Sequence, residues 1–400
     1  LRRARGYAPS AIRLPAGFER APAILAYGAE LKSTFCLLDR GRAILSQHQG
    51  DLEDVATFAD YQKNLALYTQ LFDHAPRLLV TDLHPDYAAS RIARERAEKE
   101  RLPLVVVQHH HAHVAACLAE NAWPLDGGRV LGVVLDGLGL GEDGTLWGGE
   151  FLLADYRGFE RAGTLKPVAM IGGDAASREP WRNLYAHLAA GMGWDAFQMR
   201  ATTLEVHRLL EAKPRSVLDR MLAGGLHVPL ASSCGRLFDA FAALAGVAFE
   251  RQAYEGQAGT LLEALATASS DEGAYPFAIE ALAAPEGSSL RVIDPLPMWS
   301  AALGDLLAGT DTGAMSARFH RGLARAIVTM ATDLRARAAP AFDAVALSGG
   351  CFQNRVLFEE VCRGLRAQGL RVLSHERVPP NDGGLSLGQA AVAAARSLPG

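Results

Sequence analysis

From Ala23 the chain sets short apolar runs between glycine- and charge-bearing turns: Ala23-Ile24-Leu25-Ala26-Tyr27-Gly28, then Ser33-Thr34-Phe35-Cys36-Leu37-Leu38, then Ala43-Ile44-Leu45-Ser46. Runs of this kind read as strands. Helix-like stretches follow near 55–74 and 87–100, with strands at 77–81 and 104–108 between them. Three strands followed by alternating helices and strands predict an α/β layer. The pattern then restarts. Arg129 to Asp136 reads as a strand, Gly137-Leu138-Gly139-Leu140-Gly141 as a turn, Thr145 to Leu153 as a second strand, and a third lies near 160–166. Two such units predict an internal duplication. Between about 174 and 340 the chain is alanine- and leucine-rich and mostly helical. A last strand, Asp343 to Leu347, then runs into Ser348-Gly349-Gly350, followed by a helix near 354–367, a strand near 371–374, and Asn381-Asp382-Gly383-Gly384 opening the final helix.

Residues 1–21, with Pro9 and Pro15 and no periodicity, read as tail or linker. The abrupt basic start Leu1-Arg2-Arg3-Ala4-Arg5-Gly6-Tyr7 predicts a piece cut from something longer. Four hundred residues allow two or three domains, and 49% hydrophobic with 21% charged residues is ordinary for a globular chain. A net charge of −4 offers no footprint for nucleic acid. No apolar stretch approaches the roughly 18–20 residues that span a bilayer. Neither nucleic acid nor membrane is therefore expected as a partner. Five scattered cysteines (36, 117, 234, 351, 362) without Cys-x-x-Cys predict no disulfide framework and favour a reducing cytoplasm.

The chemistry concentrates at strand ends. Gln108-His109-His110-His111-Ala112-His113 follows the buried-strand run Leu104-Val105-Val106-Val107, and residues 113–120 read as a helix. His109 and His113, four apart at that junction, put two imidazoles on one face, which is half of a metal site. Asp136 ends a second strand. Asp382 stands before a helix, where locally it reads as an N-cap, yet strand C-termini of an α/β fold converge on one crevice, where it can complete the set. Two imidazoles and two carboxylates suit Fe(II) or Zn(II), whereas calcium or magnesium would want more oxygens. His110 and His111 are read as flanking or substrate-facing groups and, with Lys32, as catalytic candidates. Three glycine turns predict a nucleotide in the cleft between the halves: the one with Gly28 and Lys32, the one with Gly137 and Gly139, and the one with Gly349, Gly350 and Asn354. Gly172 to Arg182, Ser232 to Asp239 and Tyr254 to Ala258 read equally as helix caps or ligand loops, with Asp174 and Glu255 as candidate nucleotide contacts.

Taken jointly and in order, these motifs resemble the C-terminal half of the hydrogenase-maturation carbamoyltransferase (HypF) family, from about residue 22 to the end. The resemblance implies a duplicated actin/sugar-kinase-like (ASKHA) fold with a helical insertion at about 174–340. It implies a first half at 22–128 joined by the C-terminal helix 384–398, a second half at 129–383, and the tail of an upstream YrdC-like domain in 1–21. It further implies that His109, His113, Asp136 and Asp382 hold the metal and that Gly137, Gly349, Gly350 and Asn354 meet the nucleotide. The expected reaction passes a carbamoyl group from carbamoyl-adenylate, made from carbamoyl phosphate and ATP with Mg²⁺ a further candidate ion, to the C-terminal cysteine thiolate of a HypE partner. That group becomes a cyanide ligand of the NiFe-hydrogenase iron. The rival readings are an O-carbamoyltransferase on a small molecule, a tRNA threonylcarbamoyl transferase (which typically carries His-x-Glu-Gly-His instead), and a non-catalytic nucleotide-binding scaffold.

Overall fold

A computed structural model of the chain describes residues 8–225, 227–283 and 289–399; the Arg2–Tyr7 stretch of the expected upstream tail lies outside them. One strand order occurs twice. In the first half β1 (Ile12–Arg13), β2 (Ile24–Ala26), β3 (Cys36–Asp39) and β4 (Arg42–Leu45) precede helix α1 (Val55–Leu71), β5 (Leu78–Asp82), α2 (Ala88–Glu100), β6 (Leu104–Val107) and α3 (His109–Glu120). Strands β2 to β4 form an antiparallel meander, and β5 and β6 add in parallel beyond β2, giving the order β1-β4-β3-β2-β5-β6. Residues 12 and 13, expected as linker, pair with β4.

The second half opens with the meander β7 (Val130–Leu140), β8 (Leu146–Ala154) and β9 (Phe159–Leu165). The insertion follows, starting with β10 (Val168–Ala169), which pairs with β11 (Leu230–Ala231). Its helices are α4 (Asp174–Arg178), α5 (Pro180–Gly191), α6 (Trp194–Ala201), α7 (Glu205–Glu211), α8 (Arg215–Gly224), α9 (Cys234–Leu244), α10 (Gln257–Ala268), α11 (Leu296–Ala308) and α12 (Thr312–Arg337). The insertion also carries a hairpin, β12 (Ala278–Ala283) with β13 (Ser289–Asp294), that extends the second sheet beyond β9. Then come β14 (Ala344–Ser348), α13 (Arg355–Ala367), β15 (Arg371–Leu373) and α14 (Leu385–Ser397). The sheet order β9-β8-β7-β14-β15 repeats β4-β3-β2-β5-β6, so the fold is the duplicated actin/sugar-kinase-like one.

The layers explain the site. Helices α1 and α2 cover the outer face of the first sheet, where Tyr61, Leu65, Ala89 and Ala93 pack on Leu25, Leu37 and Leu79. Between the sheets lies a second core shared by both halves, holding Val114 and Cys117 of α3 beside Leu387 and Ala391 of α14. Here the halves exchange helices: α3 packs on β7, β8 and β14, and α14 packs on β2 to β5. The two helices cross closely because Gly388 has no side chain; a Cβ there would stand 1.8 Å from the Ala112 carbonyl oxygen. The insertion helices form the third core on the far face of the second sheet. Both exchanged helices begin at the same crevice.

Candidate metal centre and nucleotide cleft

Strand β6 passes into α3 at Gln108, whose side-chain oxygen caps the helix by accepting the His111 N–H at 2.9 Å. Helix α3 therefore starts at His109 rather than near His113, and His109 and His113 fall one turn apart on one face. Asp136 reaches them from β7, and Asp382 from the turn that opens α14. One ligand-capable atom from each of the four lies within 4.8 Å of the others. Nε2 of His109 and of His113 each stand 3.4 Å from Asp136 Oδ2, and 3.7 and 3.6 Å from Asp382 Oδ1. The histidines can lie this close over β7 because Gly139 is bare; a Cβ there would come within 2.7 Å of His110 Cε1 and 2.8 Å of His109 Cδ2.

Burial alone would push both ring pKa values down. The carboxylates of Asp82, Asp136 and Asp382 outweigh it at His109 and hold that ring well above its ordinary value, and Asp136 and Asp382 do the same less strongly at His113. Conversely, burial favours the neutral acids, yet the two imidazoles hold Asp136 well below the usual carboxylate range and lower Asp382 as well. Three buried groups and the half-buried Asp382 thus compete for protons at one point. Among the described residues His113 Nε2 is buried and has no hydrogen-bond partner. Two imidazole nitrogens and two carboxylate oxygens converging on that spot fit a divalent ion of the iron or zinc type.

The ligand rings are held from behind. His109 Nδ1 lies 2.9 Å from Asp82 Oδ2 at the end of β5, and Asp82 Oδ1 accepts the His84 N–H at 2.9 Å. Asp136 Oδ1 accepts the Gly350 N–H at 2.9 Å. Asp82 was absent from the sequence candidates; its only local signal is that, like Asp136, it closes an apolar strand.

A cleft of about 270 Å³ opens from Asp136 between the halves. Lys32, Asp136, Gly137, Gly350, Cys351 and Asn354 line one side, with Gly235, Arg236, Phe238 and Asp239 of α9 and Glu255, Gly259, Thr260 and Glu263 at α10 on the other. Lys32 Nζ meets Glu255 Oε2 at 2.5 Å across the opening. Burial would lower the Lys32 pKa, but Asp382, Glu255 and Asp136 together raise it, so it stays a cation beside those carboxylates. Asn354 caps α13 by accepting the Leu357 N–H at 3.0 Å, and its Nδ2 lies 2.8 Å from His320 Nε2. Of the three segments that read equally as cap or loop, those at the α9 and α10 starts line the cleft, and Ser233 also caps α9.

Five candidates sit elsewhere. His111 is two residues from each ligand, on the opposite side of α3; its Nε2–H donates to the Asp155 carbonyl at 2.7 Å, and burial pushes its pKa down to about 4. Gly28 has its N–H taken by Gln389 Oε1 at 2.9 Å and its carbonyl by Gln389 Nε2 at 3.0 Å. Gly349 donates to the Pro380 carbonyl at 2.8 Å. Gly139 belongs to the continuing strand β7, not to a turn, and lies under the histidines. Asp174 is an exposed residue of α4 paired with Arg178 at 2.5 Å. None of these five lines the cleft. His110 remains beside the quartet: Gln108 Nε2, which also donates to the Leu140 carbonyl, lies 3.1 Å from its Nδ1, and burial with the neighbouring His109 keeps the ring neutral.

Comparison with known proteins agrees with this architecture. Residues 132–389 match the model "Carbamoyltransferase, Kae1-like Domain, second subdomain", and residues 19–120 match "HypF Kae1-like domain". Carbamoyltransferase HypF of Rhodobacter capsulatus is 47% identical over 397 residues, covering 99% of this chain and 50% of that protein. A carbamoyltransferase HypF homolog of Cupriavidus necator is 38% identical over 396 residues, covering 95% of this chain and 93% of that protein. The crystal structure of full-length HypF in its phosphate- and nucleotide-bound form superposes with a TM-score of 0.86 at 32% identity, over 98% of this chain and 57% of that one. HypF of T. kodakarensis gives 0.84 at 29% identity, over 98% and 50%. The chain spans about half the length of most of the curated relatives it matches. With both subdomain models matched and the two sheets repeating one order around a shared crevice, the chain belongs to the HypF carbamoyltransferase family.

Proposed function

We propose that the chain carries out metal-dependent carbamoyl transfer, from carbamoyl-adenylate to the C-terminal cysteine thiolate of a HypE-like partner, in the maturation of the NiFe-hydrogenase cyanide ligands. The observation that carries this reading is the convergence of His109, His113, Asp136 and Asp382, of which Asp136 also lines the cleft. An Fe(II) or Zn(II) ion held there would supply Lewis-acid polarisation of the carbamoyl carbonyl. The chain's own residues do the rest. The cleft walls receive the adenylate, with Gly137, Gly350, Asn354 and Glu255 as its contacts, and Lys32 balances the phosphate charge. Neutral His110 stands beside the ligands as the remaining catalytic candidate.

In the transfer the thiolate sulfur bonds to the carbamoyl carbon, the carbon–oxygen bond to the phosphate breaks, and AMP departs with the electron pair. No cysteine of this chain acts as nucleophile: none of the five is in a disulfide, four are buried, and the thiol pKa of the half-buried Cys351 is raised well above the ordinary value by the neighbouring Cys234 and by desolvation. Cysteines held as thiols also accord with a cytoplasmic setting. Among the described residues no helix is long and apolar enough to cross a membrane. The test is to supply carbamoyl-adenylate and a peptide ending in cysteine to metal-loaded protein and follow the peptide mass. A carbamoyl gain on the thiol is expected. Its absence, with nucleotide binding retained, would leave the scaffold reading.

A further inference from the structure

Behind His113 runs a chain of contacts that the transfer reaction does not use directly. His113 Nδ1 lies 3.2 Å from Ser348 Oγ, at the end of β14. Ser348 Oγ lies 2.9 Å from His375 Nε2, and the other edge of that ring, Nδ1, meets the Glu120 carboxylate. Glu120 closes α3, the helix that carries His113, so the circuit leaves the helix at one turn and returns to it two turns later. His113, Ser348 and His375 are buried, and the Glu120 side chain is 2% exposed.

The direction of each bond follows from its chemistry. Glu120 Oε2 accepts three backbone N–H groups, from Glu376 (3.1 Å), Arg377 (2.7 Å) and Val378 (3.3 Å). Burial would favour the neutral acid, but the His375 contact and these donors hold Glu120 below the ordinary carboxylate range. An ionised Glu120 can only accept, so His375 Nδ1–H donates to it, and the single-proton tautomer of that ring presents a lone pair at Nε2. The Ser348 hydroxyl then donates to Nε2, which is nearer than its alternative acceptor, the Pro380 carbonyl at 3.3 Å. That leaves the serine oxygen to accept from His113 Nδ1–H. A ring protonated on Nδ1 directs the Nε2 lone pair toward Asp136 and Asp382.

We infer that Glu120, His375 and Ser348 form a positioning relay that sets the tautomer and orientation of His113 as a metal ligand. The inference rests on the metal reading of the quartet. Carboxylate- or carbonyl-backed histidines are common at metal sites; here the carboxylate acts through two intermediaries drawn from another strand and another loop.

The test uses Ser348→Ala, which removes one oxygen and leaves the His375–Glu120 pair in place, with Ser348→Thr as the conservative rescue and His375→Gln as an independent break. The measurements are the Zn(II) and Co(II) dissociation constants of the chain, and the proton resonance of His113 Nδ1–H in the Zn(II) form. The wild type should show a downfield, slowly exchanging Nδ1–H. Ser348→Ala and His375→Gln should weaken metal binding by about 10–100-fold and move or broaden that resonance, and Ser348→Thr should restore both. Wild-type affinity and an unchanged Nδ1–H signal in both breaking variants would overturn the relay while leaving the metal site intact. A wild type that binds neither ion would overturn the metal reading itself, and the relay with it.

Discussion

Asp82 Oδ2 stands 2.9 Å from His109 Nδ1, on the edge of the ring opposite the nitrogen that faces Asp136 and Asp382. Both residues are fully buried, so bulk solvent does not reach this edge of the ring. Asp82→Ala should therefore leave the ring without its orienting partner and weaken divalent-metal affinity by about 10–100-fold. Competition with a chromogenic chelator measures this, and unchanged affinity would remove Asp82 from the site.

Metal removal offers the most direct check on the quartet. Dialysis against a chelator should abolish carbamoyl transfer to the thiol peptide, and Fe(II) or Zn(II) added back should restore it. His113→Ala should lose metal and transfer together, beyond rescue by either ion. Full transfer in a metal-free sample would falsify the proposed role.

Lys32 is the cation poised between Glu255 and the carboxylates of the metal centre. Lys32→Met should weaken AMP binding by about tenfold, the scale of one lost charge-assisted hydrogen bond, with metal content unchanged. Isothermal titration with AMP separates the two effects.

The buried histidines set the acid and alkaline limits of stability. Burial pushes His187 and His320 each down to about 4. Since an unfolded histidine titrates near ~6.5, the unfolded chain binds more protons between those values, and stability falls as the pH drops through that window. The loss is on the order of 3 kcal/mol for each ring at most. His109 and His113 of the metal-free chain shift upward, so their contribution is complete below about pH 6.5 and declines as the pH rises through their folded values. Denaturant midpoints of the metal-free chain should peak near neutrality, and Zn(II) should flatten the alkaline side alone. A midpoint unchanged from about pH 7 to about pH 4.5 would contradict the burial argument.

The helix crossing makes a sharp contrast between two glycines. A Cβ at Gly388 would overlap the Ala112 carbonyl, whereas one at Gly304 in α11 meets nothing within 4 Å. Gly388→Ala is expected to cost about 3 kcal/mol or more, and Gly304→Ala to be neutral or to stabilise by up to about 1 kcal/mol. Urea midpoints of the two variants decide it.

Much of the duplicated frame was legible because strands such as Leu104–Val107 and Val130–Leu135 are continuous apolar runs, although β6 is a half-buried edge strand with Val106 exposed and not the buried strand its sequence predicts. The hairpin β12–β13 was not, since β12 is alanine-rich and the pair lies inside a helical stretch. The stretch from Gly137 reads as a turn because glycine usually breaks a strand; in the fold β7 continues through a register shift between Leu135 and Gly139, and the bare backbone makes room for histidines. The His109/His113 pair could be read from its spacing alone. His111 misled because the helix start was placed four residues late: from His109 it is turned by about 200°. Asp82, Ser348, His375 and His320 carried no such spacing. His113 and Ser348 are 235 residues apart, and only the folded chain makes them neighbours.

The exchange of α3 and α14 has one more consequence. A cut in the connection between Glu120 and Val130 would not yield two self-sufficient domains, because each sheet would keep the helix that covers the other and lose the one that covers itself. Coexpressed pieces could rebuild the metal-binding pocket only by trading those helices back, so recovery of bound metal would report the reassembly of the whole architecture.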